Sequence, residues 1–138
     1  MTPSRSQFGS FAGDFEMLAA TLAALSNRTP ARTTLRQALF LMTVAYCHAM
    51  GRSVTLADTV AICGDSTEID PVTGLHEPVL GRAIEKSAWV FMEPTRAYPD
   101  ALSWIEQVSD PDVRRKKYLQ LTELGQRELA SVIASLIA

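Results

Sequence analysis

Asp110-Pro111-Asp112-Val113-Arg114-Arg115-Lys116-Lys117-Tyr118-Leu119-Gln120-Leu121-Thr122-Glu123-Leu124-Gly125 is the stretch on which the fold turns. Asp110-Pro111-Asp112 is a strong turn signal, because Pro presets one backbone angle and Asp side chains hydrogen-bond their own backbone. Four basic residues follow without interruption, and Tyr118, Leu119 and Leu121 are good β-formers. Leu102 to Val108 has strand character on the other side of the turn, so the pair predicts a hairpin with a loop longer than two residues. Thr122 then caps a last helix, in which Leu129, Val132, Ile133, Leu136 and Ile137 recur at helical spacing.

Upstream, the spacing predicts a helix over about 77–92. Pro78 suits its first position, and Leu80, Ala83, Ile84, Ser87, Ala88 and Phe91 form one face. Arg82, Glu85, Lys86 and Trp89 lie mostly elsewhere, and Pro94 bars continuation. Asp65 to Gly74 reads as a polar, turn-rich connection. Before it, Thr55 and Asp58 sit at capping-box spacing for a short helix that Gly64 ends. An apolar helix from Thr33 or Thr34 to Met50, stopped by Gly51, should be central to the core. Ser10 can cap a first helix striped by Phe11, Phe15, Leu18, Leu22 and Leu25, with residues 1–10 as a flexible tail. The expected fold class is mainly α with a small β-hairpin (α+β). Residues 11–138 form one domain, with a core at 33–121 and flanking helices at 11–32 and 122–138.

Composition narrows the function. A chain of 138 residues, 47% hydrophobic and 20% charged, can build its own core. Its formal charge of -2 gives no global pull toward nucleic acid, so any such role needs a local basic surface. Cys47 and Cys63 suggest neither a disulfide framework nor a zinc site. The first ten residues lack the apolar stretch of a secretory signal. The most apolar run, Ala38 to Met50, is short of the ~20 residues of a membrane span and carries His48. A cytoplasmic protein without a membrane partner is therefore expected. There is no Gly-rich phosphate loop, nucleophile elbow or H-E-x-x-H spacing. The acidic run Asp65, Glu68, Asp70 lacks the ligand pattern of an EF-hand. The expectation is a non-enzyme with no cofactor and no metal.

Small helical domains that end in a charged hairpin are typically winged helices, and the element order predicts a winged helix-turn-helix. In that fold the second helix of the helix-turn-helix enters the major groove, and the hairpin, or wing, reaches the backbone or minor groove. The recognition helix would lie near 77–92 and the wing near 104–121. The candidate DNA contacts are His76, Arg82 and Lys86 on the helix, and Arg114, Arg115, Lys116 and Lys117 on the wing. Taken alone, the basic run reads equally well as a solvated strand edge. Arg82 and Lys86 read equally well as the wet face of a helix, and His76 as a capping residue. Trp89, Phe91 and Trp104 suit core packing better than an effector pocket. Cys63, beside a polar loop, is the better redox candidate of the two cysteines.

The run from Asp110 to Gly125 resembles the wing signature of MarR-type bacterial regulators: an acidic turn, paired arginines, an apolar strand, then Leu-Thr and a Gly a few residues on. The resemblance is specific over about a sixth of the chain, and Val113 stands where the family usually has an acid. It implies that Arg115 is the wing-tip arginine that meets DNA, with Arg114 its neighbour. Leu121, Thr122 and Gly125 would form the strand-to-helix exit. The expected function is sequence-specific binding of double-stranded DNA in transcription regulation, in the sense of repression, with a small-molecule effector as a candidate for relieving it. The apolar stripes of the flanking helices are wider than one small domain needs, which predicts a homodimer. Its interface would take Phe11, Phe15, Leu18, Leu22, Leu129, Ile133 and Leu136. The rival reading, from another class, is a winged-helix module that binds protein and does not read DNA.

Overall fold

Side-chain caps decide where several of the helices begin. Ser4, Thr34 and Thr55 each accept a hydrogen bond from the backbone N–H three residues on, and the side chains of Gln7, Gln37 and Asp58 close the reciprocal bond. In the computed structural model, which describes residues 2–137, the order is α1 (Arg5–Gly9), α2 (Ala12–Ser26), α3 (Leu35–Ala49), α4 (Leu56–Cys63), β1 (Asp65–Ile69), β2 (His76–Pro78), α5 (Ile84–Ser87), a 3-10 turn (Ala88–Phe91), β3 (Ile105–Ser109), β4 (Lys117–Leu121) and α6 (Glu123–Ile137). Met1, at the head of the expected tail, and Ala138, at the end of the expected last helix, lie outside the described residues. The chain is α+β, with two separate two-stranded antiparallel sheets among the described residues. No helix among these residues is long and apolar enough to cross a membrane.

The chain divides into two compact units. One runs to Arg32 and resumes at Arg127. In it Arg28 ties the end of α2 to α6, with its Nε 3.4 Å from Glu128 and its NH2 group donating to Ser131 Oγ at 3.0 Å. Phe8, Phe11, Phe15, Leu18 and Leu22 stay exposed. Phe8 tilts against Phe15 with ring centroids 5.3 Å apart.

Thr33–Gln126 form the other unit. Its centre is α3, whose Phe40, Leu41, Val44 and Cys47 are buried. Phe40 stacks on Phe91 of the 3-10 turn at 6.4 Å. β3 and β4 pair in unbroken register from Ile105–Leu121 to Ser109–Lys117. On its other edge β4 receives Val54, since the Leu119 N–H donates to the Val54 carbonyl at 2.7 Å. His48 Nδ1 accepts the Leu121 N–H at 3.2 Å, which joins the strand to α3.

The structure corrects four sequence expectations. The 65–74 connection is not a loop: β1 and β2 make a second hairpin, so the sheet content is two hairpins rather than one. The helix expected over 77–92 is not continuous. Residues 76–78 are in β2, and Gly81 has φ +81°, which no right-handed helix accommodates. Helix therefore starts at Ile84 and tightens to 3-10 geometry at Ala88. Within the expected tail, residues 5–9 form a capped helical turn, and α2 starts from Phe11 without a side-chain cap from Ser10. The hairpin strands, expected over Leu102 to Val108 and Arg114 to Leu121, are shorter, at Ile105–Ser109 and Lys117–Leu121, which leaves Arg114 to Lys116 in the connecting tip.

Segment 102–104 holds the second unit together. The N–H groups of Leu102, Ser103 and Trp104 donate to the carbonyls of Val90, Met92 and Phe91. The Trp104 carbonyl then accepts the Thr122 N–H at 2.9 Å, and Thr122 Oγ1 donates to the Ser103 carbonyl at 2.6 Å. Gly125 lies so close that a Cβ there would meet the Trp104 oxygen at 2.2 Å. Backbone against backbone cannot rotate away, so Gly125→Ala should lower unfolding stability by about 1–3 kcal/mol or more. Urea titration measures this, and a variant with the wild-type midpoint would show that the contact is looser than described.

Candidate functional site

The tip of the β3–β4 hairpin is built around one carboxylate. Asp110 Oδ1 accepts the N–H groups of Asp112 and Val113 at 2.8 and 3.0 Å, and Oδ2 accepts the Tyr118 hydroxyl at 2.8 Å. The Asp110 N–H donates to the Lys116 carbonyl, and the Lys116 N–H to the Val113 carbonyl. This internal bracing forces Arg114 and Arg115 outward, where both are exposed and neither has an acidic partner among the described residues. Lys116 lies over the Tyr118 ring at 5.4 Å, a cation–π distance. Lys117 is exposed on β4. The Tyr118 hydroxyl, then the Asp112 and Val113 amides, hold the Asp110 carboxyl below its ordinary value of 3.8.

A second, smaller cluster of charge lies at the head of α4. The Thr55 backbone bond is the largest of the causes that lower the Asp58 carboxyl, with Lys116 and Arg52 adding their positive charge. The basic residues of the hairpin tip therefore divide. Lys116 lies over the Tyr118 ring and its charge reaches Asp58 without an ion pair, whereas Arg114 and Arg115 are left to solvent.

The residues expected on a recognition helix do not share one. Arg82 precedes α5, ion-pairs with the buried carboxylate of Asp70, and lies 3.7 Å from Glu77. His76 sits on β2, its Nδ1 3.0 Å from the Ser66 carbonyl oxygen. Lys86 stays exposed on α5. Sequence reasoning missed Asp70 as the partner of Arg82. It also missed Gln37, whose Nε2 donates to the Ser87 carbonyl at 2.9 Å and pins α5 to α3. The available signals were Gly81 inside the supposed helix and the turn Asp70-Pro71-Val72-Thr73-Gly74 between Ile69 and Leu75.

Phe91 and Trp104 are buried core residues, while Trp89 is half-buried and lines two open hollows. The larger, about 480 Å³, also meets Glu93, Glu106 and Lys117; the other, about 360 Å³, meets Lys86 and Tyr98. Cys47 is buried, and Cys63 is half-buried with Sγ 3.3 Å from Thr43 Oγ1. Among the described residues no group of three His, Cys, Asp or Glu side chains is arranged to hold a metal ion. Compared with protein-family models, curated proteins and solved structures, the chain has no match.

Two outcomes follow from these geometries. Arg82→Ala strands a buried carboxylate. Loss of a fully buried pair costs about 3–5 kcal/mol, but the Arg82 side chain is 60% exposed, so about 1–2 kcal/mol is expected. Chemical unfolding of the variant gives the value. Asp110 carries a lowered pKa, so its ordering of the tip is complete above the ordinary 3.8 and is lost as pH falls through the depressed value. The Asp112 and Val113 amide NMR shifts should hold steady from neutral pH down to that range, then move toward random-coil positions. Asp110→Asn should produce the same shift at neutral pH.

Proposed function

We propose that this chain is a winged-helix, DNA-binding transcriptional regulator of MarR type that acts as a homodimer. The carrying observation is the pair of exposed, unneutralised arginines, Arg114 and Arg115, on a hairpin tip braced from within by Asp110. With the backbone of the tip preformed, a guanidinium that meets a phosphate or a narrow minor groove gives up side-chain rotamer entropy alone, and its planar fork limits that loss per hydrogen bond. The net charge of -2 is no obstacle, since affinity comes from a few local phosphate contacts doubled by a two-fold axis.

Topology supports the winged-helix reading. With the β1–β2 hairpin taken as an insertion between α4 and α5, the order α3, Val54 bridge, α4, α5 with its 3-10 turn, β3, β4 follows the helix, strand, helix, helix, strand, strand order of that fold. The single bridge from Val54 to Leu119 on the free edge of β4 stands where that fold has its third strand. The exit contact of Thr122 and Gly125 against segment 103–104 gives a physical reason for the Leu-Thr-x-x-Gly run in the sequence resemblance. In this reading the major-groove element shrinks to residues 84–91, with Lys86 as its exposed cation, and Arg82 braces the preceding hairpin.

A second copy is the expected cover for the exposed stripe Phe11, Phe15, Leu18 and Leu22, with Ile133 and the half-buried Leu136 adjoining in sequence on α6. Leu129 is already buried within the chain and leaves little surface for a partner. Leu18→Asp should convert a dimer to monomers in sedimentation at micromolar concentration, and wild-type protein that sediments as a monomer would sink the dimer. On a mixed-sequence duplex, the Arg114→Ala, Arg115→Ala double variant should stay folded and lose up to about two units per subunit from the slope of log affinity against log salt. If wild-type protein fails to bind duplex even at low salt, the protein-binding alternative takes over.

A further inference from the structure

α3 is apolar on two sides, and the core uses one of them. Phe40, Leu41, Val44 and Cys47 are buried. The other side carries Leu35, Leu39, Met42 and Tyr46, with Met50 just past the end of the helix. Steps of four, three and four residues keep these side chains on one stripe. Leu35, Tyr46 and Met50 are 77%, 62% and 65% exposed, Leu39 is exposed and Met42 half-buried. Single exposed apolar side chains are ordinary, but a continuous stripe of them marks a contact surface.

α2 carries a stripe of the same design. Phe11, at its head, Phe15, Leu18 and Leu22 follow the same steps of four, three and four, and all are exposed. Both helices have 15 residues, so the two seams match in length as well as in spacing. Their charges are opposite. α2 bears Asp14 and Glu16 and no base, whereas α3 bears Arg36 and His48 and no acid. Neither Asp14 nor Glu16 is in an ion pair among the described residues. A pairing of α2 with α2, or of α3 with α3, sets like charges beside the seam. α2 laid along α3 sets unlike ones there and fills both stripes, and such complementarity is what selects one partner over another.

We infer that the outer stripe of α3 takes α2 of a second copy, so that each subunit lends one helix and receives one. The inference rests on the homodimer proposed above and names the surface that the Phe11 to Leu22 stripe meets. A two-fold axis makes the exchange reciprocal, so the same pairing occurs twice and the buried area doubles. α3 also holds the β3–β4 hairpin through His48 and Leu121. The partner's helix would thus bear directly on a helix to which the hairpin is tied.

The test is cross-linking of the intact chain. Leu18 and Met42 lie near the midpoints of their helices, so they meet whichever way the two helices run. In a Cys63→Ser background, Leu18→Cys and Met42→Cys variants are refolded together and treated with a short bismaleimide. The expected product is a linked pair holding one of each variant, with little linkage when either is treated alone. A linked pair from Leu18→Cys alone would leave the dimer standing and overturn the α2-to-α3 pairing, and so would one from Met42→Cys alone. A bridge within single chains of the double variant would overturn it as well, because α2 would then cover its own α3. Tyr46→Asp gives a second measure. Its side chain is exposed, so the variant should keep the wild-type circular dichroism, while a charge set in the apolar seam weakens dimerisation by roughly 100-fold or more in sedimentation. A Tyr46→Asp variant as dimeric as wild type would sink the inference. If wild-type protein is itself a monomer at micromolar concentration, the dimer reading fails, and this inference with it.

Discussion

One carbonyl group organises the larger unit. The Trp104 oxygen accepts the Thr122 N–H and presses on the bare Cα of Gly125, while the Trp104 N–H is bound to Phe91. The residue before β3 is thereby fixed to the end of the 3-10 turn on one side and to the start of α6 on the other. The β3–β4 hairpin must leave and return at that point, so its direction is set by backbone contacts in the core. Side chains at the tip are then free to vary without moving the strands. Ser103, held at φ 59°, belongs to the same knot, with its carbonyl taken by the Thr122 hydroxyl.

Much of this was legible in the sequence because the signals were local. The Thr34 and Thr55 caps and the glycine stops at residues 51 and 64 each follow from a few adjacent residues. The hairpin after Asp110 was legible for the same reason. The Asp70 turn is built from the same chemistry, an Asp-Pro pair whose carboxylate accepts the N–H two residues on. The turn-rich character was legible, but the hairpin escaped because its return strand is only His76-Glu77-Pro78, which imitates a helix start. Helical spacing then ran on through Gly81, where periodicity cannot register a backbone angle. Hydrophobic pattern reports which side chains are buried, and Leu80, Ile84, Ala88 and Phe91 are indeed buried. It does not report whether the chain between them is a helix.

Long-range pairing was the other blind spot, and it decides which charges are available. The chain carries 13 basic residues against 15 acidic ones, so the balance alone is uninformative. The structure sorts the arginines by what they face. Arg28 and Arg82 are spent on Glu128 and Asp70, partners far away in sequence or across a turn. Arg36, Arg114 and Arg115 have no such partners among the described residues. A nearly neutral protein can thus carry concentrated positive charge, because the acids that balance the total lie elsewhere or are already engaged.

The hairpin of β1 and β2 is closed at its neck. Asp65 pairs with Pro78, and the Val79 N–H donates to the Gly64 carbonyl at 2.9 Å, so the chain leaves and rejoins its path at nearly one point. Everything between these residues is a detour that does not change where α4 ends or where the approach to α5 begins. The entropic cost of a closed loop grows only logarithmically with its length. Length is free only at the exposed turn beyond Asp70, at residues 71–74, where added residues would leave the neck in place. Shortening the detour to a bare turn would remove Asp70 and leave Arg82 without its buried partner.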